Sequence, residues 1–325
     1  MKFEYSAGAF VYFNEYGRSM FLVLTKQNGE KDLAKGHIEK GESAEDAAKR
    51  EIYEETGIVP EFLPWFSSGT EYFFKQKGET IHKNVKFFIA RTNSAEVRIS
   101  KEHRGYEWMD YESMRKNLAY KDLREVMRHV KEYIDRYERM LKLNEEYGEL
   151  PERQKEWKLS RSFVPGEGRL DARVMLVGQA PGQNEDTERR PFIGMSGKLL
   201  DRTLRKNSIQ RKNAYITSIV QFFPPENRIP TQAEIEICKP FLMKQIEIIK
   251  PEYVVLMGNV PNSGILGIGS VESNHGKLIE KDGVKYIVTI HPAAAVRIKK
   301  KVHIIEEDFS MLGKLLKEDR RRQEG

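Results

Sequence analysis

At 325 residues the chain is too long for one ordinary core and suits two domains. Its apolar content of 39% supports globular folding, 32% charged residues imply a well-solvated surface, and no apolar run reaches the roughly 18 residues that a membrane span needs. The net charge of +6 permits an anionic partner without requiring one, and a single cysteine, Cys238, excludes an intramolecular disulfide and fits a reducing cytoplasm.

From the N-terminus, the stretches 8–13, 20–24, 70–74, 83–90 and 107–108 carry β-branched and aromatic residues and read as strands. The apolar opening at 7–13 follows Glu4 and precedes no small-residue cleavage site, so it reads as a first strand and not a signal peptide. A helix is predicted over 43–56, with Ser43 and Asp46 as a capping pair and Gly57 as its stop. Leu123, Val126, Met127, Val130, Ile134 and Met140 recur at helical spacing and predict a long helix over 121–143. The polar segment 144–162, with Gly148 and Pro151, reads as the connection between domains. Beyond it, short apolar runs at 174–177, 215–220, 253–257 and 286–290 alternate with helical stretches at 197–206, 232–250 and 299–319. That alternation predicts a parallel sheet covered on both faces. Functional loops then belong at the carboxyl ends of its strands, where 178–182 and His291-Pro292 fall.

Within the helix predicted over 43–56, Glu51, Glu54 and Glu55 share one face. Like charges so close repel, and a hard cation with oxygen ligands reverses the sign of that interaction. A charged, solvated helix face is the plain alternative for three glutamates alone. The wider spacing sets it apart: Gly36, then Glu42, then Arg50-Glu51-Ile52-Tyr53-Glu54-Glu55-Thr56-Gly57-Ile58. The whole window resembles the signature box of the Nudix hydrolases, position by position. The resemblance implies Mg²⁺ or Mn²⁺ held by Glu54 and Glu55 with the Gly36 carbonyl. It implies Glu51 as a further ligand or general base, Arg50 orienting it, Glu42 as a supporting acid, and Glu102 as an additional downstream acid.

The stretch 35–39, followed by Tyr72-Phe73-Phe74 and Lys83-Asn84-Val85-Lys86, resembles the diadenosine tetraphosphate hydrolases within that family. Tyr72 would stack a base, and Lys35 and Lys83 would hold extra phosphates as point charges. An oxidised or noncanonical nucleoside triphosphate and a nucleotide sugar are the alternative substrates.

The second half carries Val164-Pro165-Gly166-Glu167-Gly168, Val177-Gly178-Gln179-Ala180-Pro181-Gly182, Arg190-Pro191-Phe192-Ile193-Gly194, Pro224-Pro225-Glu226-Asn227-Arg228 and His291-Pro292-Ala293. In this order they resemble the uracil-DNA glycosylase superfamily, most closely its iron–sulfur type, family 4. The resemblance implies a flipped base stacked on Phe192 and a departing base stabilised by His291. DNA phosphates would lie near Arg297, Lys299, Lys300 and Lys301. Three positions depart from the pattern. Gln179 replaces a glutamate that would assist catalysis, and an amide cannot act as a base. Ser218 replaces an asparagine that reads the base edge. Phe222 replaces a cluster cysteine and only Cys238 remains, so no iron–sulfur cluster is expected.

The expectation is therefore two domains. Residues 1–140 form a Nudix α/β/α fold with a mixed sheet, and 141–325 a three-layer α/β/α glycosylase-like fold with a parallel sheet. The expected partners are a nucleoside polyphosphate substrate and, through the second domain, DNA, with no membrane. The oligomeric state is left open. The second half is read as an active glycosylase, an impaired nucleic-acid-binding module, or a nucleotide pocket assisting the first. A joint role in DNA repair and in sanitising the nucleotide pool follows from the fusion.

Overall fold

The computed structural model describes residues 2–76, 78–118, 121–154 and 157–324, with the backbone alone for 76, 323 and 324. Its chain separates into two units, Met1–Asp135 and Arg136–Gly325.

In the first unit, Tyr16 and Gly17 sit at φ 48° and 80° and make a two-residue turn that sets Glu15 opposite Arg18. The turn joins β1 (Lys2–Glu15) to β2 (Arg18–Lys26). There follow β3 (Lys31–Asp32), β4 (Lys35–His37), α1 (Ala44–Thr56), β5 (Glu61–Phe62), β6 (Ser68–Gln76), β7 (Glu79–Arg91), β8 (His103–Met109), α2 (Tyr111–Asn117) and α3 (Lys121–Gly148). β1 runs parallel to β7 and antiparallel to β2 and β4, so the sheet is mixed. Alternate residues of β1 (Ala7, Ala9 and Val11) join Phe88 and Ala90 under the Ala47, Ala48 and Ile52 face of α1. Such small side chains let the helix approach the sheet closely. Ser43 accepts the Asp46 N–H at 3.1 Å, and Gly57, at φ 69°, ends the helix in the left-handed region. The strands missing from the sequence reading, β3, β4 and β5, span two or three residues each, too few for any periodicity to register.

The second unit continues with α4 (Leu150–Arg153), β9 (Glu167–Gly168), β10 (Val174–Gly178), α5 (Gln183–Glu188), α6 (Met195–Lys206), β11 (Ala214–Ser218), α7 (Gln232–Ile249), β12 (Tyr253–Met257), α8 (Asn259–Leu266), β13 (Leu278–Lys281), β14 (Val284–Thr289), α9 (Pro292–Arg297) and α10 (Val302–Glu324). The sheet order is β13-β14-β12-β10-β11-β9. Its four central strands are parallel and buried along most of their length, with Thr217, Ser218, Lys285 and Thr289 as their polar members. The edges differ from the expected all-parallel sheet. β9 pairs antiparallel with β11, and the Asp282-Gly283 turn returns β13 against β14, because two residues can join only antiparallel strands.

Among its described residues, the segment 144–162, expected as a polar connection, contributes anchors to the core. Tyr147, Leu150, Pro151 and Leu159 are buried. Tyr147 stacks on Phe241 at 4.3 Å and meets Phe222 edge-on, as does Trp157. Sparse apolar anchors among charged residues hide this packing from any count of polarity.

Candidate active sites

In the first unit, β4 lies against β1 and brings Gly36 over α1. A Cβ on Gly36 would fall 1.9–2.2 Å from the Glu51 carboxylate, so only glycine leaves room for that acid. Arg50 gathers the acids around it. Its Nη1 donates to Glu51 at 2.7 Å and Glu54 at 3.1 Å, and its Nε and Nη2 donate to Glu42 at 3.0 and 3.1 Å. Nη2 also donates to the His37 carbonyl at 2.9 Å, tying the loop to the helix. Hydrogen bonds from Arg50 hold Glu42 below its ordinary range.

Glu55 is buried and accepts the Lys35 N–H at 3.2 Å. Burial pushes its carboxyl up to about 8; Lys35 pulls the other way, and Glu51 and Glu102 add to the rise. A cavity of about 400 Å³ opens here, lined by Lys26, Asp32, Lys35, Glu55, Glu102 and His103. Asp32 is buried between Lys26 (2.5 Å) and Lys35, and these cations overcome desolvation to hold it below its ordinary range. Asp32 and Lys35 also line a second, smaller cleft with Thr70, Tyr72, Val85 and Phe87. Lys83 is lowered by burial and then by Lys35, which places the two ammonium groups within electrostatic reach. Lys35 and Glu102 thus line the cavity at Glu55, whereas Tyr72 lines the smaller cleft with Lys35 on the other face of the sheet, the face that Lys83 shares with Val85 and Phe87. Glu42 stands with Arg50.

Among the described residues no three His, Cys, Asp or Glu side chains converge on one point. Arg50 draws Glu51 and Glu54 to itself, while Glu55 turns to the backbone of β4. The donor set nevertheless suits a hard divalent cation. It is all oxygen, and the buried Glu55 carboxyl is raised chiefly by burial, a cost that a bound cation would offset.

In the second unit, β10 ends at Gly178. A Cβ there would lie 2.6 Å from the Phe192 ring and 3.2 Å from Ser218 Oγ, so this glycine brings together three of the predicted elements. Gln179 follows directly, its carbonyl accepting the Val220 N–H at 3.1 Å. Phe192 is buried at φ 54°, strained for a side chain of that size. Its loop is held by Arg211, whose guanidinium donates to the Pro191 carbonyl at 2.8 Å and to Asp201 at 2.9 Å. Glu185 accepts the Gly182 N–H at 2.9 Å, and burial raises its carboxyl.

His291 caps α9. Its Nδ1 accepts the Ala293 N–H at 3.1 Å, so the neutral ring carries its proton on Nε2. Burial, and secondarily Arg297, pushes the imidazole down to about 4. The ring lies 5.7 Å from Phe192, 29° from parallel. Arg297 sits exposed at the far end of α9 with Lys299 and Lys300, whereas Lys301 pairs with Glu272. The sequence reading missed Asp32, Glu185 and Arg211: Asp32 pairs with Lys26 and Lys35, Glu185 with the Gly182 N–H, and Arg211 with Asp201 and the Pro191 carbonyl. Local signals are the position of Glu185, three residues after Gly182, and that of Lys35, three residues after Asp32.

The Phe222 position, where the resemblance expects a cysteine, is filled by packing. Phe222 is fully buried among Tyr147, Trp157 and Phe163. Burial pushes the Cys238 thiol up to about 12, opposite to what a thiolate ligand needs.

Comparison with known proteins divides the chain in the same order. The model of the NUDIX domain matches residues 2–130, and that of the Uracil DNA glycosylase superfamily matches residues 165–316. The Type-4 uracil-DNA glycosylase of Saccharolobus solfataricus is 38% identical over 163 residues, covering 47% of this chain and 76% of that protein. Its counterpart from Thermotoga maritima is 37% identical, covering 49% and 85%. Among solved structures, a C. elegans Ap4A hydrolase binary complex is 26% identical with a TM-score of 0.37, covering 41% of this chain and 98% of that chain. The chain belongs to the uracil DNA glycosylase superfamily and carries a NUDIX domain ahead of the matching region. That first half is an enzyme of the Nudix pyrophosphohydrolase type.

Proposed function

We propose that the first half cleaves a phosphoanhydride of a dinucleoside polyphosphate by water attack, with Mg²⁺ or Mn²⁺ held by Glu51, Glu54, Glu55 and the Gly36 carbonyl. Glu55 carries the reading: a buried acid, raised by burial and by neighbouring acids, at the floor of a cavity with lysines on its wall. The cation supplies charge neutralisation for phosphate and an acidified water. Arg50 fixes Glu51 beside Gly36, where Glu51 can take the proton of an attacking water. Lys35 and Lys83 receive the outer phosphates as point charges, and Tyr72 supplies a ring for one base.

For the second half we infer release of a damaged or foreign base from DNA. Phe192 stacks the flipped base, and the Nε2–H of neutral His291 donates to the charge that develops on it. A second reading, binding without release, is favoured by Gln179 and Ser218, neither of which reproduces the groups they replace. The two halves together would clear unusual nucleotides from the pool and from DNA.

A metal-supplemented screen against diadenosine tetraphosphate, noncanonical nucleoside triphosphates and nucleotide sugars tests the first half. The dinucleotide is expected to give the highest kcat/KM, and Glu54→Gln and Glu55→Gln to lose at least ~100-fold in kcat. Parental rates in both variants would refute the site. Base release from uracil-, hypoxanthine- and xanthine-containing DNA, lost in His291→Ala, supports the glycosylase reading. Salt-sensitive binding without release supports the other.

A further inference from the structure

The face of the first sheet that buries Ala7 and Ala9 under α1 runs on beyond the helix into solvent. Register places Phe3 and Phe73 on either side of His82, and one step along, Tyr5 and Glu71 on either side of Asn84. A buried sheet face would end here in polar residues; this one does not. Phe3, Tyr5 and Phe73 are 52%, 56% and 61% exposed. Phe73 stacks on His82 at 4.3 Å and 18°, and Phe3 leans on the same ring at 5.4 Å. The next residues on this face are Lys75 on β6 and Lys86 on β7, both exposed, one at each end of the aromatic rows. The acid on the face, Glu71, is tied to His82 at 3.1 Å.

We propose that this face binds single-stranded nucleic acid by stacking its bases. Three open rings on two strands flanking a third, about 10 Å apart across the sheet and about 7 Å along it, offer planar surface for more than one base. Asn84 at the centre has both a donor and an acceptor for a base edge, and Lys75 and Lys86 lie where phosphates would pass. A protein partner would match the rings but would not use a cation at each end. A duplex keeps its bases stacked on one another and has none to offer.

The test uses the whole protein and fluorescein-labelled 15-nucleotide strands, read by anisotropy at fixed salt. Single strands are expected to bind more tightly than the matching duplex. Tyr5→Ala and Phe73→Ala should each weaken single-strand binding about tenfold, while Tyr5→Phe and Phe73→Tyr, which keep the rings, should bind as the parent does. None of these residues belongs to either site described above, so nucleotide hydrolysis and base release are expected to hold. Equal single-strand affinity in the parent and both alanine variants overturns the proposal. So does a preference for duplex that the variants leave unchanged. A drop in self-association of Phe73→Ala in sedimentation, with strand affinity intact, would assign the face to a second copy and likewise overturn it.

Discussion

Arg50 reaches Glu42, Glu51, Glu54 and the His37 carbonyl at once, which explains how neighbouring acids coexist on one turn of helix. This set was legible in the sequence because it lies within one short window at helical spacing, where chain distance and spatial distance agree. Arg211 was not, because Asp201 and the Pro191 carbonyl are brought to it only by the fold; Asp32 has its partners Lys26 and Lys35 close in the chain, but its burial is not displayed there. His291 was legible as a residue but not as a state: its lowered pKa comes from burial, which sequence does not display. Because the folded pKa, about 4, lies below the ordinary 6.5, folding favours the neutral ring. Its contribution to stability is full above pH 6.5 and is lost as pH falls towards 4. Nitrogen-detected NMR should therefore show His291 neutral and protonated at Nε2 from pH 8 down to about pH 5. A midpoint near 6.5 would contradict the assignment.

At the level of elements, the approach of β4 to α1 depends on Gly36. Gly36→Ala should drive the Glu51 carboxylate out of its place and lower kcat by about 100-fold, with the melting temperature little changed. Steady-state kinetics beside thermal denaturation separate that outcome from simple unfolding; unchanged kcat would show that Glu51 can work from elsewhere. The long helices and central strands followed from periodicity, whereas β3, β4 and β5 did not. These short strands exist through pairing with β2, β1 and β7, an interaction written in the partner and not in their own residues. The antiparallel edges of the second sheet were foreshadowed only by the Asp282-Gly283 turn.

For the whole molecule, the segment 144–162 shows where composition misleads. Its polarity suggested a connection, yet its few aromatics build part of the core of the second unit. Phe222 is central to that core, so Phe222→Ala should cost about 3–5 kcal/mol and Phe222→Leu far less. Urea unfolding followed by tryptophan fluorescence, which Trp157 reports from beside Phe222, measures both. Equal stability of the two variants would mean that the ring is not what holds the segment down. The aromatic packing of Tyr147, Trp157 and Phe163 around Phe222 holds this part of the second unit by hydrocarbon contacts. Its folding is expected to proceed equally well in air, under iron starvation and after exposure to peroxide, which strips sulfide-bridged iron from proteins that depend on it.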